Sequence, residues 1–243
     1  MPPAVLEAPK PQQRVFPDEI PPLENGDHLA AAEFLRRYEA MPEVKKAELI
    51  QGVVYLMASP VRIDLHGDPD SLAQGWLFTY AAHTRGVKSS TNATNRLGPD
   101  DIPQPDGMLR LLPQYGGQAK VDAKGYLCGA AELVVEVAAS SASVDTREKF
   151  TTYRRARVQE YLVWRTRDQA VDWWVMEDDE YLRLEPDADG ILRSRTFPGL
   201  WLNVPALIAE DSGALLATLQ QGLASEAHQA FNAALAAKAA AQS

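Results

Sequence analysis

The stretch Glu132-Leu-Val-Val-Glu-Val137 decides the reading of this chain. It is rich in β-formers and free of glycine and proline, which predicts a strand. Successive side chains of a strand point to opposite faces. Leu133, Val135 and Val137 therefore share one face, and Glu132, Val134, Glu136 and Ala138 share the other. A carboxylate flanked by Val134, Val135 and Val137 is expensive to desolvate unless something pairs with it. Glu136 needs a metal ion, a lysine or an arginine, or else a face partly open to water.

Downstream, Val144-Asp-Thr-Arg-Glu-Lys-Phe150 opens a helix read over 145 to 157. Lys149 lies one turn beyond Asp145. It is either a solvated surface lysine or one that points back over the end of the Glu136 strand. Upstream, Pro103-Gln-Pro-Asp-Gly107 places Asp106 at the mouth of a strand over 104 to 111. Asp106 reads as a second acid or as ordinary Asp-Gly turn chemistry. Two acids and a lysine at a sheet edge make a metal-dependent hydrolytic site. The carboxylates hold Mg²⁺ (or Mn²⁺) through oxygen, the ion activates water, and the lysine orients that water or steadies the transition state.

Further out, residues 28 to 40 predict a helix with Asp27 as N-cap and Pro42 after its end. Residues 47 to 57 predict a hairpin or sharply bent strand about Gln51-Gly52. Residues 66 to 85 form a second predicted helix with Leu72, Trp76, Leu77 and Tyr80 on one stripe. Strands are expected near 87 to 98, at 160 to 164 and at 170 to 176, with a meander through 181 to 192. The adjacent Trp173 and Trp174 face opposite sides, one in the core and one under the C-terminal helix or a second subunit. From about 206 the chain is alanine-rich, and Leu215, Leu219, Leu223, Ala227, Phe231 and Leu235 recur every four residues. That stripe packs on its own domain or forms a dimer contact.

The order Glu48-Leu-Ile-Gln-Gly52, Ser59-Pro60 with His66, Pro105-Asp106, Glu132 to Val137, Asp145 to Lys149, Tyr153 and Val158-Gln-Glu-Tyr161 resembles the Uma-type "putative restriction endonuclease" family of bacterial proteins. The resemblance runs from about residue 30 to 210. It implies a PD-(D/E)XK nuclease-like α/β fold, a central mixed β-sheet flanked by helices. It implies Asp106 and Glu136 as metal ligands, with Lys149 replacing the lysine normally found two residues after the second acid, where this chain has Ala138. Glu48 matches the pattern as an auxiliary carboxylate and His66 as a base or phosphate contact, or as a polar helix cap. Gln51 stands where the family usually carries an acid. The expected activity is Mg²⁺-dependent endonucleolytic cleavage of DNA. A nuclease-fold module that binds nucleic acid or protein without cutting is the alternative.

Composition sets the outer limits. The chain has 243 residues, 46% of them hydrophobic, which suits one well-filled domain. The expected division is a proline-rich flexible tail over 1–26, the nuclease-like domain over 27–210 and a C-terminal helix over 211–243. A net charge of −9 argues against a chain-wide electrostatic grip on DNA. Locally, though, Arg147, Lys149, Arg154, Arg155, Arg157, Arg165 and Arg167 form either a phosphate-facing stripe or a solvated face balanced by the acids at 177 to 180 and 187 to 189. Cys128 is the single cysteine, so intrachain disulfides and multi-cysteine zinc sites are out. With no bilayer-length apolar run and no signal-like N-terminus, a cytoplasmic protein is expected. A homodimer through the C-terminal helix or an exposed sheet edge is the expected assembly.

Overall fold

A computed structural model describes residues 20–57, 60–139 and 144–241. Ser59 and residues 1–19 of the proline-rich segment lie outside the described residues.

The strand around Glu136 is the pivot of the sheet. We number the strands β1 (Ala47–Ile50), β2 (Val53–Leu56), β3 (Val87–Thr91), β4 (Asn95–Arg96), β5 (Gly107–Leu111), β6 (Lys120–Val121), β7 (Leu127–Cys128), β8 (Leu133–Ala138), β9 (Glu160–Arg165), β10 (Ala170–Glu177), β11 (Glu180–Arg183), β12 (Ile191–Arg193) and β13 (Trp201–Asn203). The helices are α1 (Ala31–Glu39), α2 (Asp68–His83), α3 (Phe150–Arg155), α4 (Val204–Ile208), α5 (Ser212–Leu223) and α6 (Glu226–Ala240). Six strands form a mixed sheet in the order β11-β10-β9-β8-β5-β3. Only β8 and β9 run parallel in it; the other neighbours are antiparallel. A parallel pair requires a crossover connection. Here the crossover contains α3 and the π-helical turn Asp145–Lys149 before it.

The alternation read from β8 holds. Leu133, Val135 and Val137 join Trp76, Leu77 and Tyr80 of α2 in the largest core cluster. Val134 and Ala138 face the other way, with Tyr153, Tyr161 and Val163. A third cluster joins α1 to the β1–β2 hairpin through Phe34, Leu35, Leu49 and Ile102. The hairpin turns on Gln51 and Gly52, with φ of 53° and 78°. Two consecutive positive φ values suit the tight turn that matches strand twist, and glycine takes the second at no steric cost.

Several expectations need correction. Asp27 does not cap α1, because the helix begins at Ala31; the Asp27 carboxylate instead accepts from the Glu24 amide at 3.0 Å. Leu23 is buried in the third cluster, so packed chain starts inside the segment assigned to the tail. The helix at 66 opens earlier, as a π-helical turn over Ile63–Gly67 that runs into α2. The 87–98 strand is two, β3 and β4, in different sheets.

The C-terminal helix is two helices, broken where the Ser225 side chain caps α6. Leu215, Leu219, Leu223 and Leu235 are buried in the main core and Phe231 packs against it, so most of the four-residue stripe serves the chain's own domain, while Ala227 is exposed. Trp173 is the core tryptophan and packs edge-on against Trp76. Trp174 is covered by Phe150 and Tyr161, not by the C-terminal helices. Among the described residues no helix is long and apolar enough to cross a membrane.

Candidate active site

β5 and β8 pair with Met108 opposite Val134 and Gly107 opposite Val135. Continuing that register by one residue sets Asp106 opposite Glu136. Directly opposed residues have Cβ atoms about 4.5–5.5 Å apart, so sheet geometry alone brings the two acids together. The Val137 amide donates to Asp106 Oδ2 at 2.9 Å and fixes the carboxylate. Gly107 is not there for a turn: it lies in β5, and a Cβ on it would meet Leu77 Cδ1 at 2.7 Å and Gln74 Nε2 at 2.9 Å. The glycine lets α2 come close enough for Gln74 to donate to the Asp106 carbonyl at 2.8 Å.

Lys149 comes in from the crossover. Its Nζ stands 3.0 Å from Glu136 Oε1, 3.0 Å from Glu48 Oε2 and 3.3 Å from Asp145 Oδ1. The side chain is 2% exposed, so the solvated-surface reading fails. Tyr153, one turn further along, donates its hydroxyl to Glu136 Oε1 at 2.9 Å. The position a D/E-X-K sequence gives to lysine is filled by Ala138, which is buried in the core beside Tyr153 and Tyr161.

Two clamps hold the Lys149 turn. Gln51 Nε2 donates to the Glu148 carbonyl at 3.0 Å. Asp101 accepts from the Gln51 amide, the Thr152 hydroxyl and Arg155 at 2.8, 2.9 and 2.7 Å. Gln51 thus serves as a structural tie. Glu48 sits on β1, buried, with Oε1 accepting from the Gln104 amide at 2.7 Å. Among the described residues its Oε2 has no hydrogen bond, and the Lys149 ammonium stands 3.0 Å from it.

Asp106, Glu136, Lys149 and His66 line one cleft of about 400 Å³, together with Lys46 and Arg167. His66 is no simple helix cap. Its Nδ1 lies 2.9 Å from the Val137 carbonyl, which only accepts, so Nδ1 carries the proton. Nε2 then faces Asp106 Oδ1, 3.9 Å away. Lys46 completes the set with Nζ 2.8 Å from Asp106 Oδ1. The sequence reading missed Lys46. The available signal was its place two residues before Glu48 on an alternating segment, which puts both on one side.

The electrostatics follow from this crowding. Burial, reinforced by Asp106, Asp145 and Glu48 and only partly offset by Lys149, pushes the Glu136 carboxyl up to about 8. Burial also raises Asp106, but Lys46, Lys149 and the Val137 amide outweigh it and hold the group below the usual carboxylate range. Burial disfavours a charged Lys149, yet Glu136, Glu48 and Asp145 keep its ammonium well above the usual lysine range.

The cationic stripe is largely compensated. Arg154, Arg155, Arg157 and Arg165 pair with Glu180, Asp101, Asp179 and Asp172, and Lys149 is buried. Of the seven, Lys149 and Arg167 line the cleft.

Oxygen donors and excess negative charge suit a hard divalent cation. Four carboxylates face two ammonium groups, and among the described residues the buried Glu48 Oε2 lacks a hydrogen bond. Among the described residues no three His, Cys, Asp or Glu side chains form a ready ligand cluster. Mg²⁺ does not need one, since it is commonly held by one or two carboxylates with water and substrate phosphate.

The family model for Uma2, described as "putative restriction endonuclease", matches residues 31–205. The chain belongs to the Uma2 family. Among solved structures it is similar to a putative nuclease of the DUF820 group from Anabaena variabilis. Identity is 17%, the TM-score is 0.55, and the match covers 72% of this chain and 97% of that one. At that identity the likeness shows the fold, a mixed sheet flanked by helices. No curated protein matches the chain. Within this Uma2 chain, the structure brings all five sequence-predicted residues, Glu48, His66, Asp106, Glu136 and Lys149, to one cleft wall or directly behind it.

Proposed function

We propose that this Uma2 chain is a Mg²⁺- or Mn²⁺-dependent endonuclease that hydrolyses DNA phosphodiester bonds. The observation that carries the reading is the Lys149 ammonium 3.0 Å from Glu136, on the strand directly beside Asp106. Asp106 and Glu136 would hold the metal, whose chemistry is to acidify water and neutralise charge developing on the phosphate.

The remaining work falls to the chain's own residues. Lys149, locked by Glu48 and Asp145, presents a fixed positive charge at the cleft wall for the attacking water or the phosphate oxygens. His66, its Nδ1–H held by the Val137 carbonyl, offers Nε2 as a proton acceptor. Tyr153 fixes the Glu136 carboxylate. Arg167 at the cleft favours an anionic substrate.

Purified protein incubated with supercoiled plasmid and with linear single strands, in Mg²⁺, Mn²⁺ or EDTA, tests this. Metal-dependent cutting that vanishes in Glu136→Ala is expected. No cutting by the folded protein under any condition would favour the non-catalytic binding module instead. Compensation of most of the arginine stripe and the net charge of −9 point that way.

A further inference from the structure

The two lysines of the cleft are held very differently. Lys149 contacts three carboxylates and is 2% exposed. Among the described residues Lys46 contacts one carboxylate, Asp106, and one other polar group, Asn92 Oδ1 at 3.4 Å. Its side chain is 23% exposed and lines the cleft. A lysine head on a four-carbon stem at a cleft wall can swing away, whereas Lys149 cannot.

Asp106 has little freedom of its own. Its side chain is 5% exposed, and Oδ2 is tied to the Val137 amide. Oδ1 is the oxygen turned to the cleft, and Lys46 Nζ covers it at 2.8 Å. His66 Nε2 approaches the same atom but stays at 3.9 Å. A divalent cation and an ammonium group repel one another and so compete for this oxygen.

We infer that Lys46 is the chain's own competitor for the metal-binding oxygen of Asp106, and that it sets how tightly the site takes a divalent cation. The inference rests on the proposed metal-dependent reading. Metal entry displaces the Lys46 ammonium from Asp106 and leaves it at the cleft wall. There it faces any phosphate bound beside the metal, so anionic substrate lowers the cost of displacing it. Metal and substrate binding are therefore mutually favourable.

The test is Mn²⁺ binding to the full chain without DNA, at a mildly alkaline pH, by calorimetry and by the Mn²⁺ paramagnetic resonance signal. Lys46→Met and Lys46→Gln should each tighten Mn²⁺ binding by about tenfold or more, the scale of one lost competing charge contact. Lys46→Arg, which keeps the charge, should not. Asp106→Asn should abolish the binding in each background. Two Lys46 replacements of different polarity guard against a folding defect, and near-UV circular dichroism reports the fold of each. Asp106-dependent binding that is unchanged or weaker in both neutral variants would overturn the role of Lys46 while leaving the metal site standing. Binding that ignores Asp106→Asn in every background would overturn the metal site, and this inference with it.

Discussion

Replacing Glu136 with glutamine should stabilise the protein at alkaline pH while removing a ligand of the proposed metal site. The substitution keeps the shape of the side chain. Its carbonyl still accepts from Tyr153, and Lys149 keeps Glu48 and Asp145 as counter-ions at 3.0 and 3.3 Å. What disappears is a carboxyl whose ionisation is opposed by burial and by the neighbouring acids. In the folded chain that group titrates near 8, against 4.5 for an ordinary glutamate. Below the lower value both folded and unfolded chains are protonated there. Between the two, the unfolded chain has lost the proton and the folded chain keeps it, so stability falls as pH rises. The interval of 3.5 units, at about 1.36 kcal/mol each, sets a ceiling of about 5 kcal/mol. Rearrangement around Lys149 reduces this to roughly 2–3 kcal/mol.

The assay is thermal unfolding of wild type and Glu136→Gln in EDTA across about pH 5 to pH 9. Near the acid end the two curves should coincide. Toward the alkaline end the variant should melt about 5–10 °C higher, from about 2–4 °C per kcal/mol for a chain of this size. A variant that melts lower than wild type at alkaline pH would refute the reasoning. It would mean that the ionised Glu136 is needed as the Lys149 counter-ion and is not an excess charge.

Other substitutions probe the same cluster and its support. Lys149→Met strips the cation from three buried carboxylates and should cost about 3–5 kcal/mol in urea unfolding, as removal of one partner from a buried ion cluster does; a loss near zero would show that the acids relax to solvent. Tyr153→Phe removes a donor from Glu136, should cost about 1–2 kcal/mol, and should move the Glu136-linked fall in stability to higher pH, read from the same melting series. Leu219→Ala, at a fully buried position of α5, should lower stability by about 2–5 kcal/mol in a single cooperative transition, because the C-terminal helices share the main core. Separate melting of the C-terminal helices would contradict that.

What could be read from the sequence is what is written locally. The alternation of β8, the Gln51-Gly52 turn and the apolar stripe of α2 each depend on neighbours a few residues apart, and each is where the pattern placed it. The need of Glu136 for a partner was also legible, because a carboxylate among valines carries a desolvation cost wherever it folds. Which partner it takes was not. Lys149 reaches Glu136 only because β8 and β9 are parallel, which forces a crossover and carries the Asp145–Lys149 turn back over the strand. Asp27 departs from its capping pattern for the opposite reason: a good capping residue is taken by a competing turn, and α1 begins three residues later than its composition allows. Lys46 was hidden more deeply. Its contact with Asp106 spans 60 residues and depends on where the hairpin lies against the sheet, a register that no local pattern specifies. The two lysines nevertheless obey one rule. A site with four carboxylates must carry compensating charge to fold, and if it takes a metal ion, as we propose, it must be able to give some of that compensation up. Lys149 supplies the part that cannot leave. Lys46, with one carboxylate partner and a path to solvent, is the part that can.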